Sequence, residues 1–176
     1  MNRVIVTETA MIAVRALLVV VFATAFLGKL RGEDGIAGFA DWIAGLRVMP
    51  RPWTVLAARA TLTAEAAIVA LLLTPWTALP GLVLAALVLA VFAAATLSVH
   101  RRGITAQCRC FGAAAAPLGR RHVLRDALLA ATALAALAGA GLAAPPIPGL
   151  ALGAAAGALV ALGVVFLDDI ASLFDF

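Results

Sequence analysis

The amino-acid sequence predicts an all-α fold, a multi-pass bundle of transmembrane helices. Of its 176 residues, 65% are hydrophobic and 12% are charged, and the mean hydropathy is +1.12. Soluble domains contain about 45–50% apolar and about 25% charged residues, so this composition excludes a soluble enzyme and a disordered chain. In addition, five stretches are long and apolar enough to cross a hydrocarbon core, which takes about 20 residues of helix.

The predicted bundle has a four-helix core in residues 1–143 and a fifth, C-terminal span in residues 144–176, which end in an acidic tail. The core spans are about 10–27, 53–74, 77–99 and 122–143, and the fifth span is about 147–167. Two uncharged runs are longer than one span and break at prolines, at Thr74-Pro75-Trp76 and at Pro145-Pro146. Because proline interrupts a helix, each run is predicted to fold back as a helical hairpin.

A short interfacial helix is predicted at about residues 34–47, between the first two spans. Asp34 is expected to cap it, and its apolar side chains fall on one face, as in helices that lie at a membrane surface: Ile36, Phe39, Ile43 and Leu46. In the fifth span, Gly149, Gly153 and Gly157 recur at intervals of four. This small-residue face predicts close helix packing within the chain.

The distribution of basic residues predicts the orientation in the cell membrane. Ten of the 13 Lys and Arg residues fall on one side: Lys29, Arg31, Arg47, Arg51, Arg101, Arg102, Arg109, Arg120, Arg121 and Arg125. By the positive-inside rule, the N-terminus is outside, and the cysteine loop (residues 100–121) and the C-terminus are cytoplasmic. The sequence has no basic stripe with interleaved aromatic residues, so no nucleic-acid partner is expected.

The cysteine loop contains the most specific candidate for a catalytic or metal-binding site. Cys108 and Cys110 are the protein's two cysteines, and Arg109 lies between them. Nearby arginines favour the thiolate, so the pair is predicted to be a catalytic redox pair with Arg109 stabilising the thiolate. A metal site is the alternative, in which Cys108, Cys110, His100 and His122 would bind copper or zinc.

Four charged residues fall within the predicted spans: Arg15, Arg59, Glu65 and Asp126. Counting along two antiparallel helices brings Arg15 and Glu65 to similar depth, which predicts an ion pair between them. Two roles remain open for these residues. They either hold the bundle together or line a polar pocket beside the cysteine loop.

Taken together, these residues resemble the MauE family of methylamine-utilisation proteins, which is related to the DoxX-like membrane proteins. The resemblance is carried by Arg15, Phe22, Gly28-Lys29-Leu30, Phe39, Glu65, Phe92, Arg102-Gly103, Cys108-x-Cys110-Phe111-Gly112 and Arg125-Asp126. It runs from about Arg15 to about Ala136. The Cys-x-Cys-Phe-Gly segment, preceded by Arg-Gly, is its most specific part.

The resemblance implies a membrane protein that supports maturation, disulfide formation or export of a client, which is the small subunit of methylamine dehydrogenase in the named family. It implies a thioredoxin-like partner beside that client and the lipid bilayer. The activity of a thiol–disulfide oxidoreductase is the prediction that the cysteine pair itself makes. The resemblance fixes no cofactor, so a quinone and a metal both stay open. The alternative is a non-catalytic assembly subunit or a copper- or zinc-handling membrane protein.

One implication of the resemblance conflicts with the arginine count. Maturation of an exported enzyme takes place outside the cell, whereas the basic residues predict a cytoplasmic cysteine loop. Either the pair draws on cytoplasmic reductant, or the loop dips into the bilayer, where protein must cover its backbone.

Overall fold

We determined the fold from a computed structural model, which describes residues 2–31, 34–107, 118–139 and 147–172. Over these ranges the chain forms six α-helices: α1 (Asn2–Arg31), α2 (Gly35–Gly45), α3 (Thr54–Leu73), α4 (Ala78–Arg101), α5 (Arg120–Ala138) and α6 (Ile147–Ser172). Short 3₁₀ turns, Arg51–Trp53 and Pro75–Thr77, lead into α3 and α4. The predicted all-α bundle is thereby confirmed.

Among the residues that the structure describes, four segments are long and apolar enough to cross a membrane: Glu8–Arg31, Arg51–Leu73, Pro75–Arg101 and Gly149–Phe166. They overlap the first, second, third and fifth predicted spans. The fourth predicted span corresponds to α5, whose first turns carry several charged residues and which is not among these four.

The packing directions nevertheless require α5 to cross the bundle. Gly153 of α6 faces Thr9 of α1 and Gly157 faces Ala13, so these two helices run parallel. In contrast, α3 runs antiparallel to α1, and α4 folds back from α3 at the turn around Pro75. Because α4 ends at one end of the bundle and α6 begins at the other, α5 carries the chain back between them.

Helices α1 and α4 end, and α3 and α5 begin, at the same end of the bundle. We call it the basic end because four arginines lie there: Arg31, Arg51, Arg101 and Arg120. At this end α2 packs on α3 through Phe39, Ala40, Ile43 and Ala58. The short helix predicted at about residues 34–47 is therefore present, although Ile36 of its apolar face is exposed. Its position at a membrane surface stays a prediction.

Asp34 begins α2 as predicted, but the prediction that its side chain caps the helix is wrong. Asp34 occupies the N-cap position of α2 with φ 64°, and its side chain makes no capping hydrogen bond. Its backbone carbonyl instead accepts hydrogen bonds from the N–H groups of Ala37 and Gly38. The left-handed backbone, which aspartate tolerates better than most residues, turns the chain into the helix here.

The centre of the bundle is closed by α1, which contacts α3, α5 and α6. Leu18 and Phe22 of α1 are buried together with Ile68, Leu82 and Ala133 from α3, α4 and α5. Many leucines point outward instead, which suits a surface that faces lipid: Leu56, Leu73, Leu87, Leu128 and Leu159.

The small-residue face of α6 packs against α1, as predicted. A Cβ atom added to Gly153 would lie 2.6 Å from the carbonyl oxygen of Thr9, and one added to Gly157 would collide with the carbonyl of Ala13. Only glycine permits the two backbones to approach this closely. The fifth span is therefore an integral part of the bundle.

Candidate functional site

The carboxylate of Glu65 is bound by Lys29, and the predicted pairing of Glu65 with Arg15 is wrong. Lys29 Nζ donates a hydrogen bond to Glu65 Oε1 at 2.6 Å, and both side chains are buried. In the sequence, Lys29 is one of the ten basic residues that predict the cytoplasmic side. Its long side chain turns into the bundle instead, because a charged carboxylate inside a bundle needs a cationic partner.

Arg15 has a different role, at the far end of α3. Its Nε donates to the carbonyl oxygen of Leu72 at 3.1 Å, and its Nη2 donates to the same oxygen. Leu72 lies in the last turn of α3, where carbonyl groups lack a helical partner. Arg15 therefore caps the C-terminus of α3, where a cation also complements the helix dipole.

Two aromatic rings flank the Lys29 ammonium. Lys29 Nζ lies 5.3 Å from the ring centroid of Phe39 and 6.0 Å from that of Phe92. Both distances suit cation–π attraction. Together with Glu65, these residues bring α1, α2, α3 and α4 to one point. These four residues, Lys29, Phe39, Glu65 and Phe92, all belong to the set that carries the family resemblance.

A pocket of about 300 Å³ adjoins this cluster at the basic end. Helices α1 to α4 all contribute to its wall, which is almost entirely apolar and includes Lys29, Phe39, Trp42, Thr61, Phe92 and Thr96. The rings of Phe39 and Trp42 are stacked, with centroids 5.6 Å apart and planes inclined by 15°. The pocket opens between α3 and α4, where its lining residues Ala60 and Val91 are exposed.

The described residues on either side of the cysteine pair are fixed beside this pocket. Trp42 Nε1 donates to the carbonyl oxygen of Gln107 at 2.8 Å. The N–H of Leu118, itself a pocket residue, donates to the carbonyl of Ala106 at 2.7 Å. The loop therefore leaves and re-enters the described structure at neighbouring points.

Arg102 holds α2 against the end of α4. Its Nη1 and Nη2 donate to the carbonyl oxygens of Arg47 and Leu46 at 2.7 and 3.0 Å, and its Nε donates to that of Ser98 at 3.2 Å. Three donors of one guanidinium thus satisfy carbonyls at two helix ends. This contact fixes the helix that supplies Phe39 and Trp42.

Cys108, Arg109 and Cys110, the predicted redox residues, lie outside the described residues. Their assignment therefore stays a prediction. Their immediate neighbour Gln107 is the residue that accepts the hydrogen bond from Trp42.

The remaining predicted residues occupy separate places. Asp126 is buried and pairs with its neighbour Arg125 at 3.2 Å, whereas Arg59 is exposed. His100 is half-buried at the end of α4, and His122 is buried in α5, where its Nδ1 accepts the N–H of Gly119. Within the described ranges, no three His, Cys, Asp or Glu side chains form a group that could hold a metal.

Sequence reasoning missed the partner of Glu65 and the pocket. From the residues themselves, Lys29 was interpreted as a basic residue of the cytoplasmic side and Phe39 as part of the apolar face of a short helix. A usable signal was available, because Lys29, Phe39, Glu65 and Phe92 all belong to the set of residues that resembles the family.

Comparison with protein families finds a match for most of the chain. The family described as methylamine utilisation protein MauE matches residues 7–139, from within α1 to the end of α5. No curated protein and no solved structure matches the chain. The matched region contains the Lys29–Glu65 pair, the pocket and the cysteine pair, whereas α6 lies beyond it.

Proposed function

This chain belongs to the MauE family of membrane proteins, and from that premise we propose that it is a thiol–disulfide oxidoreductase that acts in the maturation of a client protein. Cys108 and Cys110 form its redox pair, and Arg109 stabilises the thiolate. The description of the family supports a client in methylamine utilisation. A thioredoxin-like protein is the proposed exchange partner.

The observation that carries this proposal is the anchoring of the chain on both sides of the pair. Trp42 binds the carbonyl of Gln107, and the N–H of Leu118 closes on Ala106. A segment held at both ends on a rigid bundle can present two thiols at a defined place. Arg101, Arg102, Arg120 and Arg121 lie at its two ends and are exposed, and positive charge of this kind favours the reactive thiolate.

The proposed exchange proceeds through a mixed disulfide. A client thiolate attacks Cys108 in the Cys108–Cys110 disulfide, forms a client–Cys108 disulfide and releases Cys110 as a thiolate. The second client thiolate then attacks the client sulfur of that bond, which closes the client disulfide and releases Cys108. Two electrons pass from the client to the pair.

Trapping a mixed disulfide in native membranes tests the proposal. In a Cys110→Ser variant, the Cys108 thiolate can still attack the disulfide of the oxidised thioredoxin-like partner, which forms a Cys108–partner disulfide and releases the partner's second sulfur as a thiolate. Without Cys110 to attack Cys108 in that bond, the adduct persists, so a band that reductant removes is expected on non-reducing electrophoresis. Cys108→Ser is the matched single change, and the double Cys→Ser variant is the blank. If neither single variant yields an adduct absent from the double variant, the proposal is wrong.

A further inference from the structure

The pocket at the basic end has the size and chemistry of a ligand site. Its volume of about 300 Å³ lies at the lower end of the range for small-molecule sites, roughly 300–1,000 Å³. Its wall is apolar except for Lys29 and two threonines, Thr61 and Thr96. We propose that it binds a neutral, flat, lipid-soluble carbonyl compound, the chemistry of a quinone head group.

The charge of the site favours a neutral ligand over an anion. Lys29 lines the pocket, but Glu65 already neutralises it at 2.6 Å. A fatty-acid carboxylate would bring an excess negative charge into a buried region, which is costly. A carbonyl compound adds no charge, and its oxygen can accept a hydrogen bond from the hydroxyl group of Thr61 or Thr96, which both line the pocket.

The shape of the wall favours a flat ring. Phe39 and Trp42 lie nearly parallel, inclined by 15°, and both line the pocket. Phe92 contributes a third ring from α4. Aromatic side chains stack on conjugated rings in offset or edge-to-face geometry, whereas a saturated acyl chain would gain only apolar contact.

The position of the opening suits a ligand that arrives from the bilayer. The exposed residues of the pocket's lining are Ala60 of α3 and Val91 of α4, so the pocket reaches the outer surface between these two helices. A head group could therefore enter from lipid near the membrane surface while its apolar tail stays among the acyl chains.

A bound quinone would also complete the electron path, a consequence that rests on the proposed function. Oxidation of the Cys108 and Cys110 thiols to a disulfide releases two electrons and two protons. The quinone takes up both electrons and both protons and becomes the quinol.

Binding can be measured without any thiol chemistry. The protein has three tryptophans, so changing Trp53 and Trp76 to Phe leaves Trp42 as the single reporter in the pocket. In a background that also carries Cys108→Ser and Cys110→Ser, the full chain is placed in lipid nanodiscs. It is then titrated with a decyl-substituted 1,4-benzoquinone, which quenches nearby indole fluorescence.

Two pairs of variants separate specific binding from partition into lipid. Ala95→Phe fills the pocket from α4, and Ala94→Phe adds the same ring on the exposed side of that helix. Thr61→Leu and the exposed Thr63→Leu repeat the comparison on α3. We expect saturable quenching. Its dissociation constant should rise at least tenfold in Ala95→Phe and Thr61→Leu and stay unchanged in both controls.

Three results would overturn the site: quenching that never saturates, quenching equal in the pocket variants and their controls, or displacement of the quinone by decanoate. The last would identify a pocket for acyl chains. Because the variants used for titration lack both cysteines, absence of specific quinone binding contradicts only the proposed pocket. Failure to trap a mixed disulfide contradicts only the proposed disulfide exchange by Cys108 and Cys110.

Discussion

Lys29 and Glu65 form an ion pair 2.6 Å long between two antiparallel helices, and both side chains are buried. Such a pair contributes little net stability, but removing one partner strands the other charge. The pair thus makes the junction of α1 and α3 sensitive to single substitutions.

The first prediction concerns this pair. Glu65→Gln is expected to lower the free energy of unfolding by roughly 3–5 kcal/mol, because Lys29 keeps a charge without its counterion. The double change Lys29→Met with Glu65→Gln should cost less than Glu65→Gln alone. Reversible denaturation in mixed micelles measures both, and equal losses would contradict the pairing.

The second prediction concerns Arg15, which binds the carbonyl of Leu72. Arg15→Gln should lower the free energy of unfolding by about 1.5–3 kcal/mol, since a hydrogen bond from a charged group is lost. Combined with Glu65→Gln, the two losses should add to within about 0.5 kcal/mol, as for independent sites. A larger coupling energy in this double-mutant cycle would show that Arg15 and Glu65 interact, which would contradict the two separate roles.

The third prediction compares two glycines of α6. An added methyl at Gly157 meets the backbone of Ala13, whereas one at Gly163 meets nothing within 4 Å. Gly157→Ala should therefore destabilise the bundle by about 1–3 kcal/mol. Gly163→Ala should be neutral or stabilise by up to about 1 kcal/mol, because alanine favours helix. Similar melting temperatures for the two variants would be inconsistent with close packing of α1 and α6.

The fourth prediction concerns orientation. The sequence has two cysteines, both in the cysteine loop, so after reduction of any disulfide a membrane-impermeant maleimide reports on that loop alone. The arginine distribution predicts labelling in inverted membrane vesicles and none in intact spheroplasts. A solubilised sample provides the control for total reactive thiol. Labelling of spheroplasts would reverse the predicted orientation.

The helices and the break at Pro75 could be predicted from the sequence, whereas the other predicted break, at Pro145-Pro146, lies outside the described residues. The contacts between side chains could not be predicted. Apolar run length and the proline at position 75 set where helices begin and end, and the helices lie where the spans are predicted. Depth along a helix, however, does not fix rotation about its axis. The count that matched Arg15 with Glu65 also missed that the stem of Lys29 is long enough to reach Glu65 from the last turns of α1.

The pocket could not be predicted from the sequence for a related reason. Its wall draws on residues from four helices, and the spacing along any one of them predicts only an apolar face. The small-residue repeat of α6 could be interpreted correctly because glycine spacing alone reports how closely two backbones approach. The cysteine pair, conspicuous in the sequence, remains assigned by sequence and resemblance.

The parallel packing of α6 on α1 has a consequence for biosynthesis. During translation α1 leaves the ribosome first of the six helices, and its partner α6 follows all the others. Until α6 is inserted, lipid or the insertion machinery must cover the face of α1 around Thr9 and Ala13. The first helix to enter the membrane is therefore the one whose packing is completed last, so a ribosome that stalls before Gly153 leaves an open bundle for quality-control proteases to recognise.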